Sequence, residues 1–178
     1  MLFLGAIVLG LVLGTVTGGR IDNLARIRFR APWLVVAAVI VREAVLLTPL
    51  NRVAAAGYVY LVALAGIGAW TAMHSRRIRG MWVITAGVVL NLLVIAANGA
   101  RMPVAPEIAG AALISRGTIG QYTVMGSGTA LNFLGDWIRL YPAPEAYSVG
   151  DVLVAVGLAI VVFLSVRKPS AYKELSPR

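Results

Sequence analysis

The chain has 178 residues, 60% of them hydrophobic, no cysteine, and sixteen Lys and Arg against seven Asp and Glu, for a formal charge of +9. Without Cys, disulfides, thiol catalysis and Cys-based metal sites are excluded, and neither a metal nor a cofactor is expected. The mean hydropathy of +0.86 is far above the globular norm, and the basic residues hug the ends of apolar runs, so the expected partners are membrane lipids with anionic headgroups and not nucleic acid.

In chain order, the first apolar run spans Leu2 to Thr17. No Lys or Arg precedes Arg20, so the positive n-region of a cleaved signal is missing and the run is expected to be a retained helix. Its Gly10, Gly14 and Gly18 repeat every four residues on one face, a spacing that lets another backbone approach closely, and packing within the chain is expected over a dimer interface. The second run, Pro32 to Leu50, opens on a proline suited to a first helical turn. It carries Arg42 and Glu43, which point about 100° apart. At least one must meet another helix or a wet cavity, as an internal polar site or an interhelical salt bridge.

The third run spans Ala54 to Met73 and the fourth Met81 to Ala97. The fourth carries Asn91, with Gly87 one turn before it, and Asn98 follows seven residues later on the same face. The fifth runs from Asp151 to Val166. Trp33, Trp70 and Trp82 fall at one end of their runs and Tyr58 and Tyr60 near the other, as interfacial anchors do. His74, the sole histidine, is expected to be interfacial as well.

Basic residues collect on every second connection. Arg20, Arg26, Arg28 and Arg30 follow the first run, Arg76, Arg77 and Arg79 the third, and Arg167, Lys168, Lys173 and Arg178 the fifth. Short basic loops stay cytoplasmic. The expectation is an all-α membrane protein: a single transmembrane domain over residues 1–178, a five-helix bundle with its N-terminus outside, its C-terminus cytoplasmic, and an ordered extracytoplasmic segment over 98–150. Within that segment, Pro106 and Glu107 open a short helix to Ser115. Gly117, Gly120, Gly126 and Gly128 mark a turn-rich or extended passage, and a short helix or interfacial turn covers Thr129 to Leu140.

Two carboxylates stand out there: Asp136 in Leu134-Gly135-Asp136-Trp137, and Asp151 in Ser148-Val149-Gly150-Asp151. Neighbouring carboxylates can share a proton and divide acid and base roles, and Asn98, Arg101 and Asn132 are candidates for the polar group such chemistry needs. The structural alternatives are that Ser148 and Asp151 cap the last helix and that Asp136 pairs with Arg139 or Arg101.

Over nearly its whole length the chain resembles an uncharacterised family of bacterial integral membrane proteins, a domain of unknown function. The carrying stretches are Gly18-Gly19-Arg20-Ile21-Asp22-Asn23-Leu24-Ala25, the run from Asn91 to Val104, Leu134-Gly135-Asp136-Trp137-Ile138 and Ser148-Val149-Gly150-Asp151-Val152-Leu153. That resemblance implies a multi-pass protein of the bacterial cytoplasmic membrane and no activity. The last forty or so residues are also similar to the end of signal peptidase II, an intramembrane aspartyl peptidase, and this likeness implies Asp136 and Asp151 as a catalytic pair. The chain departs from that enzyme in its span count, in its starting side and in lacking an Asn-x-x-Asp-Arg element. The function expected first is non-enzymatic: an accessory or assembly subunit among other membrane proteins, or a binder of lipid or a small molecule. The alternatives are an aspartyl hydrolase working through Asp136 and Asp151, and a small transporter with Arg42, Glu43 and Asn91 as a polar path.

Overall fold

A computed structural model describes residues 1–49, 53, 55–140 and 145–167, with the side chains of Arg42 and Leu46 outside the description. Five long helices dominate: α1 (Leu2–Val16), α2 (Trp33–Leu47), α3 (Ala56–Ser75), α4 (Met81–Ala97) and α6 (Val149–Arg167), with the short α5 (Ala111–Arg116) between the last two. The ends of the second run at Leu50 and of the third at Ala54 lie outside the described residues. Among the described helices, α3 with 20 residues and α6 with 19 are long and apolar enough to cross a membrane, while α1 and α4 are shorter apolar helices.

The long helices pack in a row, α1 on α6, α6 on α4, α4 on α3 and α3 on α2. Glycines set the two seams of α6. A Cβ on Gly10 would fall 2.6 Å from the Ala159 carbonyl oxygen and one on Gly14 2.8 Å from Val166 Cβ, so α1 lies against α6 at backbone distance. Gly18 takes no part in that seam. Its φ of +87° turns the chain away at the end of α1, and Gly19 takes over, packed on Val166. Between α4 and α6, Gly87 lies against the Gly150 carbonyl oxygen and Gly157 against Ile84.

At one end of the bundle the chain turns through basic connections. A 3-10 turn (Ile21–Arg26) is tied to the last turn of α6, where Asn23 Nδ2 and Arg20 N both donate to the Val166 carbonyl, at 2.8 and 3.0 Å. The opposite end carries a layer with strands, which the all-α expectation did not include. β1 (Met102–Val104) pairs in parallel with β3 (Tyr122–Val124), and β2 (Thr118–Ile119) pairs antiparallel with β3. β4 (Ile138–Arg139) and β5 (Ala146–Tyr147) form a separate ribbon that leads into α6. The glycines at 117 and 120, with φ of +72° and +55°, frame the β2–β3 hairpin, in keeping with the turn-rich reading. The helix expected from Pro106 begins at Ala111 instead, and Thr129 to Leu140 holds one 3-10 turn (Asn132–Leu134) and β4. Such short strands have too few residues for an alternation pattern to stand out. The layer is anchored by Met102 and Leu134, buried with Val94 and Ile95 of α4.

Candidate functional site

The four-residue stretch Ser148 to Asp151 forms a reciprocal cap at the start of α6. Asp151 N donates to Ser148 Oγ at 2.9 Å, and Ser148 N donates to Asp151 Oδ2 at 3.0 Å. Each satisfies a backbone N–H that the first helical turn leaves without an intrahelical partner. Asn91 of α4 completes the unit: its Nδ2 donates to Asp151 Oδ1 at 2.9 Å, and its Oδ1 accepts from the Ser148 hydroxyl at 2.8 Å. Ser148 is wholly buried and Asn91 nearly so. This closeness requires glycine, because a Cβ on Gly150 would collide with the Asn91 side chain and lie 2.6 Å from the Gly87 carbonyl oxygen.

Asn91 and Asp151 form the polar end of a cavity of about 570 Å³. Its walls are Val35 and Val39 of α2, Leu64 and Ile67 of α3, Val88 of α4 and Leu158 of α6, and it reaches Trp70 and Thr71 near the basic end. Phe3 of α1 lines it too, so the helix row curls until its two ends face one space. Apart from Asn91, Asp151, Thr71 and the polar atoms of Tyr60 and Trp70, the lining is hydrocarbon or aromatic. Thr71 turns its hydroxyl to the Gly68 carbonyl at 2.9 Å.

The remaining sequence candidates separate. Asn98 serves as a clamp: its Nδ2 donates to the Ala130 carbonyl at 2.8 Å and its Oδ1 accepts the Ala130 N–H at 2.7 Å, fixing the loop to the end of α4. Asn132 closes a local turn with Thr129 and Gly126. Asp136 is buried, and its backbone joins β1, with Asp136 N donating to the Pro103 carbonyl at 2.8 Å and its carbonyl accepting from Ala105 N at 2.9 Å. Asp136 is engaged beyond these backbone bonds as well. Arg101 Nε is buried without a hydrogen-bond partner among those residues, as are both amide atoms of Gln121. Glu43 is half-buried and partnered, and the Arg42 side chain lies outside the described residues. No three His, Asp or Glu side chains gather where a metal could sit, among the described residues.

Two residues read as interfacial are built into the interior. Trp33 and Trp82 are exposed, but Trp70 is buried and donates Nε1–H to the Arg30 carbonyl at 2.7 Å. His74, one turn on, is also buried; it accepts the Arg30 N–H on Nε2 at 3.0 Å, which places its ring proton on Nδ1, 2.8 Å from the Trp70 carbonyl. Their spacing of four residues on one helix face was visible in the sequence; the loop that covers them was not.

Near the layer, Tyr147 donates its hydroxyl proton to the Glu145 carboxylate. This bond holds the Glu145 pKa below its ordinary 4.5, while burial, and then the same bond, pushes the Tyr147 pKa above 10.0.

A model of a family of unknown function, DUF5317, matches residues 26–163, leaving α1 and the Gly18–Ala25 stretch outside the matched region. No curated protein and no solved structure matches the chain. The match covers well over half of the sequence, and the chain belongs to this family of unknown function, DUF5317.

Proposed function

We propose that the protein is a multi-pass integral protein of the bacterial cytoplasmic membrane that holds an apolar ligand, a lipid chain or a small hydrophobic molecule, inside its helix row. The membrane reading is supported by the apolar side chains turned outward on all five long helices: Val8 is 49% exposed, Ile40 61%, Val62 71%, Leu93 52% and Val156 45%. In water such contiguous surface would drive association; in lipid it is the ordinary outer face of a bundle. The alternation of basic connections supports five spans with the strand layer outside.

One observation carries the binding reading: the apolar cavity of about 570 Å³ with Asn91 and Asp151 at one end. Ligand sites of this kind are mostly apolar with a few fixed polar groups that set orientation. Asn91 and Asp151 hold each other in place and offer remaining acceptor capacity to a hydroxyl or amine. The row α1–α6–α4–α3–α2 leaves α1 and α2 as its unpaired edges, the natural side entrance for a lipid chain.

The test is the purified protein in detergent with cis-parinaric acid, a fluorescent fatty acid. Leu158→Trp and Val88→Trp fill the cavity and are expected to weaken binding at least tenfold. Unchanged binding in both rejects the cavity as the site. Release of the protein from membranes by alkaline carbonate rejects the integral membrane reading separately.

A hydrolase working through Asp136 and Asp151 draws on one observation, that Asp151 reaches the cavity. Against it, both Asp151 oxygens are engaged by Ser148 and Asn91, an arrangement that explains the carboxylate as cap and strut. Loss of function in Asp151→Asn and Asp136→Asn, with the fold intact, would favour the enzyme. The transporter reading through Arg42, Glu43 and Asn91 needs a polar path, whereas the cavity wall between Asn91 and Thr71 is hydrocarbon.

A further inference from the structure

A second concavity, of about 240 Å³, lies at the basic end and is lined by Arg30, Met73, His74 and Arg77. Its construction is specific. Arg30 sits on the connection before α2, and its backbone is held twice by α3: the N–H by His74 Nε2 and the carbonyl by Trp70 Nε1. The next residue, Ala31, has a φ of +48°, a left-handed conformation that costs a non-glycine residue and persists where surroundings over-determine it. Pro32 then starts the approach to α2. The connection is therefore fixed in a disfavoured shape, and it brings Arg30 to the same hollow that Arg77 lines.

Neither guanidinium forms an ion pair among the described residues. Arg28, Arg76 and Arg79 add to the charge of this end, and Asp22 is its sole carboxylate among the described residues. His74 contributes no proton donor to the hollow, since Nδ1 faces the Trp70 carbonyl and Nε2 is occupied. Two arginines at one concavity place like charges near each other that an anion would offset, and the planar donor fork of Arg matches phosphate oxygens in pairs.

We propose that this hollow seats a phosphate group between Arg30 and Arg77, and that the phosphate belongs to an anionic phospholipid of the leaflet at the basic end. Met73, 62% exposed beside the two arginines, offers the adjacent apolar rim that a glycerol backbone and chain would cover. This hollow and the cavity of about 570 Å³ share no lining residue, so the two sites are distinct. The phospholipid source rests on the membrane reading above; the phosphate chemistry does not.

The experiment is native mass spectrometry of the full chain in detergent with added phosphatidylglycerol or phosphatidylcholine, alongside titration with inorganic phosphate. Arg30→Ala and Arg77→Ala remove side chains only and leave the backbone clasp to His74 and Trp70 in place; thermal unfolding verifies that each variant folds, and Arg30→Gln serves if Arg30→Ala does not. Wild type is expected to retain phosphatidylglycerol over phosphatidylcholine. Each substitution should weaken that retention about tenfold or more, as expected for loss of charge-assisted hydrogen bonds, with Arg116→Ala at the opposite end as the unaffected control. Equal retention by wild type and the Arg30→Ala/Arg77→Ala double variant overturns the seat. Arginine-dependent binding of inorganic phosphate without phosphatidylglycerol retention overturns the lipid source. A chain that proves soluble without detergent sinks the membrane reading, and the phosphate titration still decides the seat.

Discussion

The two seams of α6 are built from the same part and put to different use. Against α1, Gly10 and Gly14 bring two backbones together, and no side-chain hydrogen bond crosses between α1 and α6 among the described residues. Against α4, Gly87 and Gly150 do the same, and the contact they permit is filled by a polar lock of Asn91, Ser148 and Asp151. The family match includes all of α4 and most of α6 and leaves out α1. Close packing alone attaches a helix; close packing with satisfied buried polar groups also fixes its register, because a half-turn slip would strand every donor in the lock.

The sharpest way to break this comparison is Gly150→Ala, which drives a methyl into the Asn91 side chain and the Gly87 carbonyl. A loss of about 3 kcal/mol or complete failure to fold is expected, read by thermal unfolding in detergent. Next comes Asn91→Ala, which leaves Asp151 Oδ1 and the Ser148 hydroxyl short of a partner. About 1–3 kcal/mol should be lost, and a double-mutant cycle with Asp151→Ala should show coupling between the two positions. Additive losses would mean that the lock is not a unit.

Gly14→Ala should cost less, about 1–2 kcal/mol, because its Cβ meets the Val166 Cβ and Cγ1 at 2.8 Å and no polar side chain. Helix α1 can then back away from α6 without stranding a donor, and the damage should show as faster hydrogen exchange in α1 while α4 stays protected. If Gly14→Ala proves as damaging as Gly150→Ala, the distinction between the seams fails. The smallest effect belongs to Glu145, which is outside both seams. Its pKa is depressed chiefly by the Tyr147 hydrogen bond, so its stabilising contribution is complete above pH 4.5 and fades as the pH falls through the lowered folded value. The difference in Tm between wild type and Glu145→Gln should therefore shrink between pH 6 and pH 3; a difference constant with pH would rule out the ionised bond as its cause.

Much of the helical part was legible. Met81 to Ala97 was read as a run and is a helix with those bounds; the last helix begins two residues before Asp151 and ends one beyond Val166. The cap was legible as an option, since a Ser with an Asp three residues later is a local pattern. The strand layer was not, because its strands are two or three residues long and held by pairings between distant segments, such as Val104 with Asp136. His74 and Trp70 were misread for a related reason: both are ordinary at a membrane interface, and only the fold of the Arg30 loop over them makes them interior.

The sequence by itself determined where helices run and where positive charge collects, since hydropathy and charge act over a few neighbouring residues. The tertiary structure decided what Asn91 does, which glycines are seams and which end turns, and that Arg30 and Arg77 share a hollow. Asn91 lies 57 and 60 residues from its partners Ser148 and Asp151, and Arg30 lies 44 from His74. Contacts at such separations follow from how rigid helices pack, and packing depends on the whole set of facing side chains at once.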